Sequence, residues 1–138
     1  MKKLLLILVA VILVYAAVNH KFLQAMAYLH DEDASNDAKA VSLLQDAVLN
    51  DADRKSAFLL GYYFKTSKYD AVDMYASHNN YLKAANWGDE EAKMIVAWNF
   101  YKARGCAKNI AQAKEMLTQL SIAGNTKAKE VLKFVIRN

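Results

Sequence analysis

The sequence predicts an all-α protein built from stacked helical pairs, and three observations predict it. A helix end, a turn and a helix start recur: Asn86-Trp-Gly-Asp-Glu-Glu-Ala92 is answered 36 residues later by Ile122-Ala-Gly-Asn-Thr-Lys-Ala128. The same shift carries Ser56 onto Ala92, Leu60 onto Val96, Gly61 onto Ala97, Tyr62 onto Trp98 and Phe64 onto Phe100. A fixed period in this range signals helical pairs that bury their faces on one another. The chain also has no proline, and β-branched runs are scarce beyond its N-terminus. Finally, Ala40, Leu43, Leu44, Ala47 and Val48 keep the spacing of a single buried helix face.

Residues 1–18 read Met-Lys-Lys and then an unbroken apolar run from Leu4 to Val18. This is the form of an export signal, with a basic start and an apolar core. Val14-Tyr15-Ala16 offers small residues at the two positions a signal peptidase inspects. The run is also nearly as long as the roughly 17 residues of a short spanning helix, and His20 to Leu29 can continue it, so cleaved signal and uncleaved anchor both stay open. In either case Lys2 and Lys3 stay cytoplasmic and the repeats face the other side. The segment holds no cysteine, which excludes a lipoprotein anchor.

A first repeat helix is expected from about Val18 to Leu29, stopping in the acidic loop His30-Asp-Glu-Asp33. Ser35 or Asn36 is expected to cap the second, and Asp51 or Asp53 to start the third. That third helix buries Ala57, Leu60, Gly61 and Phe64, with Gly61 allowing close approach of a neighbour. The fourth is placed from near Asp70, using Ala71, Met74, His78, Tyr81, Leu82 and Ala85. Gly88 ends it in the left-handed conformation, Asp89 caps the fifth, and Glu90 and Glu91 suit the positive end of that helix, which runs to about Arg104. Asn109 caps the sixth, which ends at Ile122; the seventh follows Asn125, with Lys133 and Arg137 near its negative end. After the segment 1–18, the domain 19–138 thus divides into repeats of about 20–52, 53–88 and 89–124 and a half repeat, 125–138.

The residues Ser56…Leu60-Gly61…Phe64…Tyr81…Lys83-Ala84-Ala85…Gly88-Asp89 resemble the Sel1-like repeat, a relative of the tetratricopeptide repeat. The next copy keeps Ala92, Phe100, the turn Gly105, Ala113, Gly124 and Asn125, and departs at Ala97 and at Leu120-Ser121. The first of these copies has Tyr69 in place of the turn glycine. A weaker copy, Ala25…Tyr28, Lys39-Ala40…Ala47-Val48…Ala52, aligns with a one-residue slip, and Ala128…Leu132…Ile136 forms a closing half copy. The resemblance implies an α-α superhelix, a right-handed solenoid of antiparallel helix hairpins with about three repeats, preceded by an N-terminal hydrophobic helix. It also implies a concave face lined by the first helix of each pair. On this chain that face takes Tyr62, Lys65 and Thr66, then Trp98, Tyr101 and Lys102, and Met26, Leu29 and His30 in the weak copy. Aromatic and basic groups along a groove suit recognition of a protein. The alternative is that Tyr62 and Trp98 pack between repeats. Trp87, beside the hinge glycine, is a second exposed candidate.

Charge divides along the chain. Residues 17–53 carry two bases against seven acids, and 54–138 carry fourteen bases against seven. Export removes a nucleic-acid partner, and no basic cluster with a recognised motif appears. The lone Cys106 has no internal disulfide partner and takes a position where the family usually has valine, so a small buried hydrophobe is expected. His20, His30 and His78 lack a second ligand at metal spacing. His30 beside its acids reads as a solvated loop, and His78 as a hydrogen-bonded core residue. There is no Gly-rich phosphate loop and no triad order, so neither catalysis nor a cofactor is expected. The sequence therefore points to a non-enzymatic module that binds another protein in the cell envelope, as adaptor, regulator or immunity-type inhibitor. The other reading is a structural or assembly subunit held at the membrane through residues 4–18, with the repeats as a spacer. There is no clear signal for homo-oligomers.

Overall fold

The computed structural model describes residues 2–30, 33–66 and 72–137. Within them lie seven helices and no strand: α1 Lys2–His30, α2 Ala34–Asn50, α3 Arg54–Thr66, α4 Met74–Asn86, α5 Glu90–Lys102, α6 Ile110–Ile122 and α7 Thr126–Arg137. They form two compact units, Met1–Ser56 and Ala57–Asn138, with the boundary inside α3.

Every helix from α2 onward starts on the same chemistry. The side-chain oxygens of Asp33, Asp53, Asp73, Asp89, Asn109 and Asn125 accept from the backbone N–H of Ser35, Ser56, Ala76, Ala92, Gln112 and Ala128, at 2.8–3.0 Å. Each such cap satisfies a donor the helix cannot satisfy itself and contributes about 1 kcal/mol. Asp89 and Asn109 are the expected caps, Asp53 is one of the two residues expected to start α3, and α7 follows Asn125 as expected. The cap of α2 is Asp33 instead of Ser35 or Asn36, because its ionised carboxylate is the stronger acceptor at a positive helix end, while its carbonyl takes the Asn36 N–H at 2.9 Å. Likewise Asp73 starts α4 later than expected; Asp70, Ala71 and Tyr69 lie outside the described residues. α5 stops at Lys102, short of Arg104, since Ala103 takes a left-handed φ of 55° and its N–H bonds the Asn99 carbonyl.

In the first unit α1 runs unbroken from Lys2, where the sequence placed a helix start near Val18. Its apolar side chains from Leu4 to Tyr15 are exposed, and the helix is long and apolar enough to cross a membrane. Farther along, Ala25 is fully buried with Ala40, Leu44 and Ala47 of α2, and the Lys21 ammonium pairs with Asp46 and, at 2.8 Å, Asp51.

In the second unit α3 and α4 meet at Gly61, where a Cβ would lie 2.8 Å from the Tyr81 ring. The buried Ser77 hydroxyl donates to the Gly61 carbonyl at 2.7 Å, and Phe58 meets Tyr81 edge-on at 5.3 Å. Beyond them Ala97, Leu117, Leu120, Ala128 and Val135 form the core shared by α5, α6 and α7.

The hinges repeat. Ala52, Gly88 and Gly124 stand 36 residues apart and share a positive φ, of 49°, 93° and 96°. The next residue is the cap of the next helix in each case. The Asp89 and Asn125 N–H groups reach back to the carbonyls of Ala84 and Leu120, both at 3.0 Å. Asp53 N–H reaches Ala47, one residue farther, at 3.2 Å. The one-residue slip of the weak copy is therefore located: it lies between Val48 and Ala52, inside the first hinge. Another left-handed position, Gly105 at φ 69°, is confined as well, since a Cβ there would sit 1.8 Å from the Met74 carbonyl oxygen.

Candidate functional site

Trp98 sits half-buried in the second turn from the end of α5, because the 3.6-residue period leaves it between the buried positions Ala97 and Asn99. Its ring packs against Tyr101 at 5.5 Å and against Phe134 of α7 at 6.1 Å, and Tyr101 meets Phe134 at 6.0 Å. The Lys102 ammonium lies 5.2 Å from the Trp98 ring centre and 5.0 Å from that of Tyr101, within cation–π reach of both. Three of the expected residues are thus brought together. Phe134 joins them and was missed, although it stands 36 residues after Trp98 as Trp98 stands after Tyr62. The half repeat continues the aromatic series.

Lys65 and Trp98 also line one cleft of about 240 Å³, with Met94, Ile95, Arg104 and Val131 among its walls. Among the described residues the two bases are its only charged lining, and neither has a carboxylate partner there. Tyr62 is not part of the cleft wall. It is 53% exposed on α3, close enough to the buried Tyr81 to matter electrostatically. Burial, then Glu91 and Tyr62, push the Tyr81 phenol up to about 12. Trp87 stands partly exposed at the hinge, away from the cleft lining. Met26 and His30, of the weak copy, are exposed on α1, and Leu29 is half-buried.

His78 is buried, as expected, with its ring 5.0 Å from that of Phe100. The Asn99 amide nitrogen lies 3.4 Å from Nδ1, a placement that suits the tautomer carrying its proton on Nε2. Burial lowers the His78 pKa, so the neutral ring is favoured. Cys106 is half-buried instead of buried, for it follows Gly105 in an irregular turn and not on a packed helix face; burial still raises its thiol pKa. No group of three His, Cys, Asp or Glu side chains gathers among the described residues in a way that would hold a metal ion.

No protein-family model matches this chain, and no curated protein does. Solved structures do. A Sel1 repeat protein from Oxalobacter formigenes is 27% identical over 84% of this chain and 87% of that one, with a TM-score of 0.71. A protective antigen of uropathogenic Escherichia coli strains, displaying an SLR fold, gives a TM-score of 0.73 at 21% identity over 83% of this chain and 25% of that one. Helicobacter pylori cysteine rich protein B gives 0.63 at 20% identity, over 86% of this chain and 94% of that one. The last two are likenesses of fold alone. With its 36-residue period, its recurring hinge and caps, and these neighbours, the chain has the fold of the Sel1-like, tetratricopeptide-like helical repeat proteins.

Proposed function

We propose that this protein is a non-enzymatic, protein-binding repeat module exported to the bacterial cell envelope, acting as an adaptor, regulator or immunity-type inhibitor. Residues 1–18 serve as signal or anchor, and 19–138 form the binding domain. The observation that carries the reading is the clustering of Trp98, Tyr101 and Lys102 beside a cleft to which Trp98 and Lys65 both belong. Tryptophan and tyrosine are enriched among the residues that carry the binding energy of protein interfaces. Tyr62 extends this face by its repeat position. Site-specific photo-crosslinking in intact cells tests it: a crosslinker at positions 62, 65, 98, 101 or 102 is expected to give a discrete adduct with another protein, and one at Lys114 none. Equal labelling at all positions refutes the assignment.

The second reading, a membrane-held structural or assembly subunit, is favoured by the unbroken α1 with its exposed apolar residues. A reporter enzyme active only outside the cytoplasm, fused after Asn138, is expected to work, and deletion of Lys2 to Val18 is expected to abolish that activity. Membrane-bound activity that washes off with carbonate counts against an anchor.

A further inference from the structure

The lining of the cleft in the second unit restricts what its partner has to present, an inference that rests on the protein-binding reading above. At about 240 Å³ it falls below the roughly 300–1,000 Å³ of small-molecule sites and has room for one large side chain. Its apolar wall includes Met74, Met94, Ile95 and Trp98, and methionines adapt to irregular shapes. Lys65 and Arg104 are exposed, so they keep their hydration until a partner arrives. A purely apolar segment would strip water from them and offer nothing in return, whereas a bare anion would leave the apolar wall uncovered. Arginine adds a planar fork that takes a carboxylate in two parallel hydrogen bonds. The second unit as a whole carries twelve bases against seven acids, which steers an acidic partner toward it.

We propose that the cleft receives an acidic segment of a partner protein in which a carboxylate side chain neighbours a large apolar one, the apolar group entering the cleft and the carboxylate meeting Lys65 and Arg104. The test uses the full chain in detergent micelles and fluorescein-labelled peptides read by anisotropy, with empty micelles subtracted. The peptides alternate phenylalanine with glutamate, phenylalanine with glutamine, serine with glutamate, or phenylalanine with lysine. The phenylalanine–glutamate peptide is expected to bind about tenfold tighter than the glutamine and serine versions. In the double variant Lys65→Glu, Arg104→Glu the preference is expected to turn to the lysine peptide, a gain that unfolding cannot imitate. A flat ranking, including no binding by any peptide, overturns the proposal, as does an unchanged preference in the double variant. Either result leaves the crosslinks at positions 65 and 98 as the separate test of protein binding: if they persist, only the partner chemistry is wrong.

Discussion

The first hinge and the two that follow it solve the same problem with different residues. All three need a left-handed residue just before a capping side chain, yet Gly88 and Gly124 fill that place where the first hinge has Ala52. For an alanine this conformation costs roughly 1–2 kcal/mol. The first hinge also holds one residue more, so that Asp53 reaches back to Ala47 by a longer loop than Asp89 or Asn125 uses. The difference teaches that the hinge is defined by the cap and its return hydrogen bond, and that glycine makes this geometry cheaper without being required for it.

Substitutions can break that comparison in graded steps. Gly105 combines a positive φ with no free space, so Gly105→Ala is expected to destabilise the protein most, by on the order of 3 kcal/mol or more, since Met74 backbone would have to move. Urea melts followed by circular dichroism measure it. Gly124 has the same need for left-handed backbone but nothing within 4 Å of a built Cβ, so the cost there is conformational alone. Gly124→Val, and Gly88→Val beside it, are expected to cost about 1–2 kcal/mol each in the same melts. If Gly105→Ala costs no more than Gly124→Val, the close approach to Met74 is wrong.

A smaller effect separates hinge from interface. His78 lies on the helix that Gly88 ends, with its ring against Phe100 of α5, and its folded pKa is lowered from 6.5 by burial. The unfolded chain therefore takes up the proton first, so the stability linked to His78 is full above about pH 6.5 and is lost as the pH falls through and below that value. Urea midpoints are expected to drop between about pH 7.5 and about pH 5.5, and His78→Gln is expected to flatten that drop. The hinge variants are expected to shift every midpoint without altering the slope. Smallest of all, and opposite in sign, Ala52→Gly is expected to stabilise by about 0.5 kcal/mol, the relief of strain less the entropy a glycine adds to the unfolded chain.

How far the sequence reached depends on how local the physics is. Caps and hinges are decided within four or five residues, so Asp53, Asp89, Asn109, Asn125, Gly88 and Gly124 were legible directly, along with the fold they punctuate. Competing caps within one turn were not: Asp33 and Ser35 are equally plausible on paper, and the charge decides. The cleft was the least legible part, because Lys65, Trp98, Arg104 and Val131 come from separate elements, and only packing makes them neighbours. Arg104 therefore escaped notice. Phe134 had a signal that went unused, as the series Tyr62, Trp98, Phe134 follows from continuing the 36-residue step into the half repeat.

The unbroken α1 has a mechanical consequence. Its 29 residues make a rod of about 43 Å, and no loop separates the apolar part from the turn that carries Lys21 and Ala25. A flexible tether would let the first unit swivel freely; this one transmits tilt and rotation. Set in a bilayer, the helix would act as an axle, and the angle at which it crosses the lipid would aim the α2 face that packs on it. Lipid thickness, which contributes to helix tilt through hydrophobic mismatch, would thereby become an input to where this unit points.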